Sequence, residues 1–183
     1  QYSFGVLFSH HQERPEATHL PFLINRTKGK RGSLIAHFAR ANKHWKNINP
    51  EEQLLCVFQG PHTYISPSWY KNRNTVPTWN YATVHVYGKA RIIHDTNELR
   101  TMVTDLTHHH EATVDSDWSL EEGKESFEID LKAIVGIEIE ITQMEGKFKF
   151  NQNRSKEDQL GVIEHLDEKV APGVKEIMKS NLK

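Results

Sequence analysis

Histidine is the most obvious candidate for chemistry in this 183-residue chain, because twelve of its residues are histidine. An imidazole can bind a metal ion or transfer a proton near neutral pH. Three of them, His108 to His110, are consecutive, so on a helix they point in different directions and cannot form one tridentate metal site. The sequence also lacks the HExxH pattern of zinc proteases. We therefore interpret the run as a solvated helix end, where it suits the helix dipole, and predict no metal site.

Other catalytic side chains lack the sequence context that they need. The single cysteine, Cys56, lies in the apolar run LLCVF and is interpreted as a small buried side chain. No GxSxG, Walker or GxGxxG motif is present. Glu138 and Glu140 alternate with isoleucines, which predicts the solvated face of a half-buried strand. No side chain stands out as a general acid or base, and we predict no catalytic residue.

One segment, SLIAHFARANKHWK, concentrates groups that bind anions. Its cations, amides and hydroxyls could contact a phosphate, and its alanines leave the backbone accessible to one. The polar residues are Ser33, His37, Arg40, Asn42, Lys43, His44 and Lys46. The alternative interpretation is an ordinary amphipathic connector that Trp45 anchors in the core.

Two further segments contain parts suited to a flat aromatic ligand. The stretch VFQGPHTYISPSWYKNRNTVPTWNY, residues 57–81, is rich in rings and prolines, and FNQNR, residues 150–154, is rich in amides. An isoalloxazine ring needs a flat apolar wall and polar partners along one edge. In the aromatic stretch we expect the tip KNRNT to be exposed, and we expect Trp69 and Trp79 to line a pocket or a dimer interface.

Strands must position most of these residues. Short β-rich runs separated by turns predict strands over YSFGVLF, ATHLPFLIN, SLIAHFA, LLCVFQG and NYATVHVYGKARII, with TKGKRG as a hairpin turn. The segment AIVGIEIEITQMEGKFKFNQN is interpreted as a hairpin that turns at MEGK.

Helices are predicted mainly in the second half of the chain. One begins at Asp95 or Thr96 with apolar residues at three- and four-residue spacing, and residues 107–127 after it are interpreted as loop. A cap at Ser155 and Pro172 mark two terminal helices. The order predicts a mainly β fold, an antiparallel barrel or sandwich with flanking helices. We expect one domain over residues 1–183, with a native segment missing before Gln1.

Charge and hydropathy limit the possible partners. Lys and Arg total 23 against 24 Asp and Glu, so the formal net charge of −1 gives no basic field for nucleic acid. The turn RTKGKR, Arg26 to Arg31, is the candidate for local DNA contact, and a solvated turn is the alternative. No apolar run approaches the roughly 18 residues that a membrane helix needs, and no signal peptide is recognisable. These features predict a cytoplasmic protein.

Several of these segments, read together, resemble the PaiB family of FMN-binding negative transcriptional regulators. The similarity spans about Phe4 to Leu166, and its most specific part is FQGPHTYISPSWY followed by VPTWNY. Other matching segments are THLPFLI, LIAHFARANKHW and KFNQNRS. The resemblance implies an FMN-binding split β-barrel of the pyridoxamine-phosphate-oxidase-like type. It also implies a homodimer with flavin sites at the subunit interface.

The resemblance further implies which residues bind FMN. The strand-to-helix segment would hold the phosphate, the strand after the aromatic stretch would line the isoalloxazine, and a late polar segment of one subunit would approach the site of the other. The implied residues are His37, Ala39, Arg40, Asn42, Lys43, Trp79, Asn80, Gln152, Asn153 and Arg154. Trp69, which we expect from the aromatic stretch itself, completes the set of candidate cofactor-binding residues. The chain departs from the family pattern at Ala36, where glycine is usual, and at Asn151, where serine is usual.

Two classes of function follow from the resemblance. The first is negative transcriptional regulation of degradative enzyme production and sporulation, exerted on DNA directly or indirectly. The alternative is a flavin-dependent oxidoreductase that acts on an unidentified small molecule. A dimeric ligand-sensing module without flavin is the third interpretation.

Overall fold

The computed structural model describes residues 2–182. The strands are β1 (Phe4–His11), β2 (Arg14–Pro21), β3 (Leu23–Asn25), β4 (Ser33–Ala39), β5 (Leu54–Ile65), β6 (Thr78–Ile93) and β7 (Ile134–Lys149). The helices are α1 (His44–Asn47), α2 (Thr96–Glu111), α3 (Lys124–Asp130), α4 (Lys156–His165) and α5 (Val174–Asn181). Single 3₁₀ turns cover Pro67–Trp69 and Leu131–Ala133.

These strands form a sheet with the order β2-β1-β5-β6-β7-β4-β3. The pairs β1–β2, β1–β5, β3–β4 and β4–β7 are antiparallel, and His37 of β4 lies opposite Gly136 of β7. Hairpin connections join β1 to β2 and β3 to β4, as the turn residues predict. The predicted mainly β, antiparallel fold with flanking helices is confirmed.

The described chain divides into two compact units, each built from two chain segments. Unit 1 comprises Gln1–Phe58 and His85–Met144, and unit 2 comprises Gln59–Val84 and Glu145–Lys183. Because strands β5, β6 and β7 cross the boundaries in sequence, each contributes residues to both units.

One hydrophobic cluster of unit 1 lies under helix α2. The side chain of Asp95 caps this helix by accepting a hydrogen bond from the Glu98 amide, as the sequence predicts. Leu99, Met102 and Leu106 recur on one face and are buried with a set of residues from the sheet and the 3₁₀ turn. That set is Ile35, Ile93 and Leu131. The amphipathic pattern therefore fixes which face of α2 packs on the sheet.

A hydrophobic cluster of unit 2 is formed by the middle of the aromatic stretch, the start of the chain segment after β7 and the terminal helices. Ser155 caps α4 through the Asp158 amide, which confirms the predicted helix start. Helix α5 begins at Val174, two residues after the predicted Pro172, and buries Val174 and Met178. These residues pack with Ile65, Tyr70, Phe150, Val162 and Leu166.

The predicted hairpin over residues 133–153 is wrong. Strand β7 runs without interruption from Ile134 to Lys149, through the MEGK segment. A tight turn there would require a glycine with positive φ, and Gly146 is not among the positive-φ residues of the described chain. The neighbouring strand β6 is equally long, at 16 residues, and gives the extended backbone a partner.

The interpretation of residues 107–127 as loop is also wrong in part. Helix α2 continues through the three histidines to Glu111, and residues 124–130 form α3. The sequence did not predict this extension of α2, because His108 to His110 lack the apolar residues at three- and four-residue spacing that indicate an amphipathic helix. Among the described residues, no helix is long and apolar enough to cross a membrane.

Substitution of one glycine in β6 and one in β7, Gly88 and Gly146, tests whether β7 is extended through the MEGK segment. An added Cβ at Gly88 would collide with the Glu140 carbonyl oxygen, whereas at Gly146 the nearest atom, of Phe148, would be 3.5 Å away. We expect Gly88→Ala to lower the free energy of unfolding by about 2–3 kcal/mol. Gly146→Ala should change it by less than about 0.5 kcal/mol. Urea unfolding measures both values, and a large loss for Gly146→Ala would indicate a turn at MEGK.

Candidate functional site

The end of β4 and the connector from β4 to α1 carry five of the residues expected to bind FMN, two on the strand and three on the connector. Arg40 uses part of its guanidinium on the protein itself, because Nε donates to the Lys132 carbonyl and Nη2 to the Ile134 carbonyl, both at 2.8 Å. The Arg40 amide donates a hydrogen bond to the Ala133 carbonyl at 2.7 Å. These hydrogen bonds attach the connector to the chain segment before β7. Within the described residues, Nη1 is the Arg40 nitrogen left for an external anion.

A buried histidine orders the rest of this connector. The ring of His44 pairs through Nε2 with the Ser9 hydroxyl at 2.7 Å and through Nδ1 with the Thr18 hydroxyl at 2.8 Å. Burial lowers the pKa of His44, with the Glu16 carboxylate opposing the shift. Asn42 donates to Thr18 at 3.2 Å and accepts the His44 amide at 3.0 Å. The amide of Asn42 is thereby fixed in place by unit 1.

Lys43 and Ala39 are exposed, as are Arg40 and Ala41. Among the described residues, the Lys43 ammonium has no hydrogen-bond or ion-pair partner. Trp45 anchors the connector, since its indole donates to the Arg40 carbonyl at 3.2 Å and its ring meets His94 edge-on at 5.5 Å. The segment is therefore a structured connector, and among the described residues it presents an unpaired cation; anion binding by it stays a prediction.

His37 occupies a half-buried position on β4. Its Nδ1 atom is buried and has no hydrogen-bond partner within residues 2–182. Burial lowers the pKa of His37, so the neutral ring is favoured at neutral pH. The residue lines a cleft in unit 1 together with the end of α2.

An exposed aromatic cluster lies in unit 2. Trp79 is 53% exposed, its ring is stacked on His62 at 6.5 Å, and it meets Tyr64 edge-on at 6.1 Å. Asn80, the next residue, points to the opposite side of β6 and is fully buried, donating to the Met178 sulfur at 3.4 Å. Its Oδ1 atom has no donor among the described residues.

The late polar segment is attached to the aromatic stretch within unit 2. Gln152 stabilises its own turn by accepting the Phe150 amide at 2.8 Å and donating to the Phe148 carbonyl at 3.0 Å. Arg154 lies over the Tyr70 ring at 5.0 Å and donates to the Thr75 hydroxyl at 2.6 Å. Asn153 is exposed between them.

Asn151 and Trp69 complete this attachment. Asn151 has a positive φ of 63°, which asparagine tolerates well, and donates to the Tyr70 hydroxyl at 3.0 Å. Trp69 stacks on His165 with ring centres 6.2 Å apart. The tip KNRNT is exposed from Lys71 to Asn74, as predicted.

Comparison with known proteins identifies the family. Residues 1–143 match the family model described as "Putative FMN-binding domain". The chain is also 39% identical to the Protease synthase and sporulation protein PAI 2 of Bacillus subtilis, over 99% of this chain and 88% of that protein. The chain belongs to the PaiB family of FMN-binding-domain proteins. The predicted cofactor, FMN, is confirmed at the level of this domain.

Solved structures agree with the fold of this PaiB-family chain. The flavocytochrome Anf3 of Azotobacter vinelandii matches with a TM-score of 0.54 at 12% identity, over 80% of this chain and 62% of that chain. The FAD and heme binding protein of Mycobacterium smegmatis matches with a TM-score of 0.53 at 10% identity, over 81% and 66%. At such low identity the likeness shows the fold, which is that of the split-barrel proteins.

The residues present in each unit fit the chemistry of FMN. Unit 1 offers an unpaired lysine and a fixed amide, the donor types that a phosphate needs. Unit 2 offers an exposed indole, the type of wall that an isoalloxazine needs. Asn80 is the least accessible of the implied residues, because its side chain belongs to the unit 2 core.

The sequence interpretation missed a buried carboxylate in unit 1. Glu138 is only 8% exposed and accepts hydrogen bonds from Ser33 at 2.9 Å, Lys28 at 3.1 Å and Arg91 at 2.6 Å. Arg91 also pairs with Glu98 of α2. The interpretation of Glu138 as a solvated residue is therefore wrong, whereas Glu140 is exposed as predicted. Alternation along β7 could not reveal the error, because all the donors come from other elements.

The pKa values of this cluster follow from its contacts. Burial raises the pKa of Glu138, but the hydrogen bonds from Arg91, Lys28 and Ser33 outweigh it, so the pKa lies below its ordinary value. The hydrogen bond from Arg91 likewise lowers the pKa of Glu98. Both carboxylates therefore remain charged at neutral pH.

Cys56 and possible metal ligands are the other candidates for chemistry. Cys56 is fully buried, and burial raises the pKa of its thiol to about 12, which confirms its interpretation as an inert apolar side chain. Among the described residues, no group of three or more His, Cys, Asp or Glu side chains could hold a metal ion.

The Glu138 cluster predicts a pH-dependent stability. A carboxyl whose pKa is lowered by folding stabilises the protein above its unfolded pKa, and this stability is lost as the pH falls through the folded pKa. We expect Glu138→Gln to cost about 2 kcal/mol at pH 7. The cost should shrink as the pH falls below about 4.

Urea unfolding of the wild-type and Glu138→Gln proteins at pH 7 and at pH 3 measures this difference. Glu140→Gln is the matched control, because that carboxylate is exposed on the same strand. A cost that is equal at both pH values would contradict the assigned role of Glu138.

Proposed function

We propose that the protein binds FMN and acts as a negative regulator of degradative enzyme production and sporulation. The observation that carries this proposal is the 39% identity, over nearly the whole chain, to a Bacillus subtilis protein whose name refers to protease synthase and sporulation. The FMN-binding domain supports a flavin ligand for the same chain. Regulation would then respond to the flavin or to its redox state.

The proposed flavin contacts follow the chemistry of the available side chains. In unit 1, the proposed phosphate ligands are the Lys43 ammonium and Arg40 Nη1, together with Asn42, His37 and the backbone at Ala39. In unit 2, taken by itself, the proposed isoalloxazine wall is the Trp79 indole, which needs little rearrangement because it is already exposed. Trp69, Asn80 and residues 152–154 support this site by positioning the aromatic stretch, since their described contacts are mainly within unit 2.

A homodimer is proposed on the strength of exposed aromatic surface. Tyr64, Trp79 and Phe148 are 44%, 53% and 55% exposed, which is unusual for three large rings in one compact unit. Aromatic side chains are enriched in protein interfaces, so a second subunit is a fitting cover for them. Native mass spectrometry should then give twice the subunit mass of 21.2 kDa.

Direct DNA binding receives little support from the basic turn. Lys28 is paired with Glu138, and Arg31 donates to the Thr142 carbonyl, so half of the four cations serve the protein itself. Arg26 and Lys30 are the exposed cations that remain in this turn. We therefore propose that regulation is exerted through another molecule, and not by strong contact with a promoter.

Flavin binding tests the proposed site. We expect Trp79→Ala to weaken FMN binding by about tenfold, because the ring loses its stacking wall. Lys71→Ala, a change at the exposed tip of the same unit, should leave the Kd unchanged within about twofold. Quenching of flavin fluorescence measures both, and equal effects would contradict the assignment.

Regulation is tested in a Bacillus subtilis strain that lacks its own related protein. Expression of the wild-type chain should lower secreted protease activity and sporulation frequency, and expression of Trp79→Ala should lower them less. Gel-shift titration should show no promoter complex that survives physiological salt. Rapid bleaching of bound flavin by NADPH, with no effect on protease or sporulation, would favour the oxidoreductase alternative.

A further inference from the structure

The loop at residues 40–43, between β4 and α1, is attached to the β1–β2 hairpin through a network of polar side chains. His44 is 5% exposed and lies between two hydroxyls of that hairpin. Its Nε2 atom is 2.7 Å from the Ser9 hydroxyl on β1, and its Nδ1 atom is 2.8 Å from the Thr18 hydroxyl on β2. Phe38 of β4 meets the same ring edge-on at 5.7 Å. The position of the ring is therefore set by three strands.

Thr18 differs from Ser9 because it also contacts the loop. Its hydroxyl accepts a hydrogen bond from Asn42 Nδ2 at 3.2 Å, whereas no hydrogen bond among the described residues joins the Ser9 hydroxyl to the loop. A hydroxyl can accept and donate at once, so Thr18 can also donate to a neutral His44 ring. Burial lowers the pKa of His44, with the Glu16 carboxylate opposing the shift, and this favours the neutral ring. Thr18 thus joins the buried histidine to the loop.

These contacts determine which end of the Asn42 amide faces outward. Oδ1 accepts the His44 backbone amide at 3.0 Å, so the oxygen is turned toward the protein. Nδ2 carries two hydrogens, and Thr18 accepts one of them. Within residues 2–182 the second N–H has no acceptor. A phosphate oxygen needs such a donor, whereas an amide that rotates freely would also present its oxygen, which a phosphate repels.

We propose that Thr18 is a positioning residue for the flavin phosphate, and that it makes the protein prefer FMN to riboflavin. It holds Asn42 with an N–H directed toward the ligand, next to the unpaired Lys43 ammonium. This inference rests on the proposed function, which assigns the phosphate to this loop. Riboflavin has the same ring system and ribityl chain but no phosphate, so a change at Thr18 should weaken the binding of FMN and spare that of riboflavin.

The ratio of the riboflavin Kd to the FMN Kd, measured by quenching of flavin fluorescence at pH 7, tests the proposal. In the wild type this ratio should be at least about 10, because the phosphate gains charge-assisted hydrogen bonds. Thr18→Val, which replaces the hydroxyl by a methyl group of similar size, should lower the ratio by about fivefold. Thr18→Ser keeps the hydroxyl and should retain the ratio within about twofold.

Ser9→Ala is the matched control for Thr18→Val. It removes the other hydroxyl that contacts the His44 ring, and so disturbs the same network without a direct contact to the loop. The preference for FMN should stay within about twofold of the wild type. An equal loss of preference in Ser9→Ala and Thr18→Val would mean that the network acts only through general stability, and would overturn the proposal.

A double-mutant cycle tests whether Thr18 acts through Asn42. Asn42→Ala alone should lower the preference by about fivefold, because it removes the N–H that faces the phosphate. Adding Thr18→Val to Asn42→Ala should lower it no further, since Thr18 then has no amide to position. Losses that multiply in the double variant would show that Thr18 acts by another route, which contradicts the proposal.

The remaining outcomes separate this inference from the proposed function. If the wild type prefers FMN and Thr18→Val keeps the full preference, the inference is wrong while the proposed phosphate site stands. If the wild type binds both flavins equally, or binds neither, the proposed function fails at this site and the inference fails with it. Circular dichroism melting checks that each variant is folded, and Thr18→Ala removes the same hydroxyl if Thr18→Val does not fold.

Discussion

The Glu138 carboxylate is the group on which the organisation of unit 1 most depends. It lies on β7 and receives donors from the β3–β4 turn, from the start of β4 and from β6, and Arg91 extends the contact to helix α2 through Glu98. A buried carboxylate is costly unless donors surround it, so the turn, the strands and the helix must take one arrangement to satisfy it. One of the four cations of the basic turn, Lys28, serves this carboxylate.

The candidate site also contains both polar groups that have partners within the fold and polar groups that have none among the described residues. Arg40 and Asn42 look like phosphate ligands in the sequence, yet both have intramolecular partners that fix the connector. Lys43 has none among the described residues. In unit 2, Arg154 and Gln152 likewise hold the aromatic stretch in position, and Trp79 is left exposed. Among the eleven candidates, the structure thus distinguishes side chains that have intramolecular partners from side chains that are exposed without one.

The fold was largely predictable because its signals are local. Alternating apolar residues gave the strands, Asp95 and Ser155 marked helix starts, and apolar spacing gave the buried face of α2. The failures came where a distant partner decides the outcome. MEGK has turn-like residues, but β7 stays extended through this segment to Lys149 and has β6 as its neighbour in the sheet. His110 looked like part of a solvated helix end, but it lines a cleft with His37 of β4.

The sequence by itself determined the family, the strand and helix types, and the residues from which a flavin site can be built. Those properties depend on residue type and on spacing over a few positions, which any reader of the chain can see. Only the tertiary structure decided which polar groups remain available, that Glu138 is buried, and that two histidine nitrogens lack partners. The physical reason is that hydrogen-bond satisfaction and burial are set by contacts between residues up to about a hundred positions apart, as for Lys28 and Glu138.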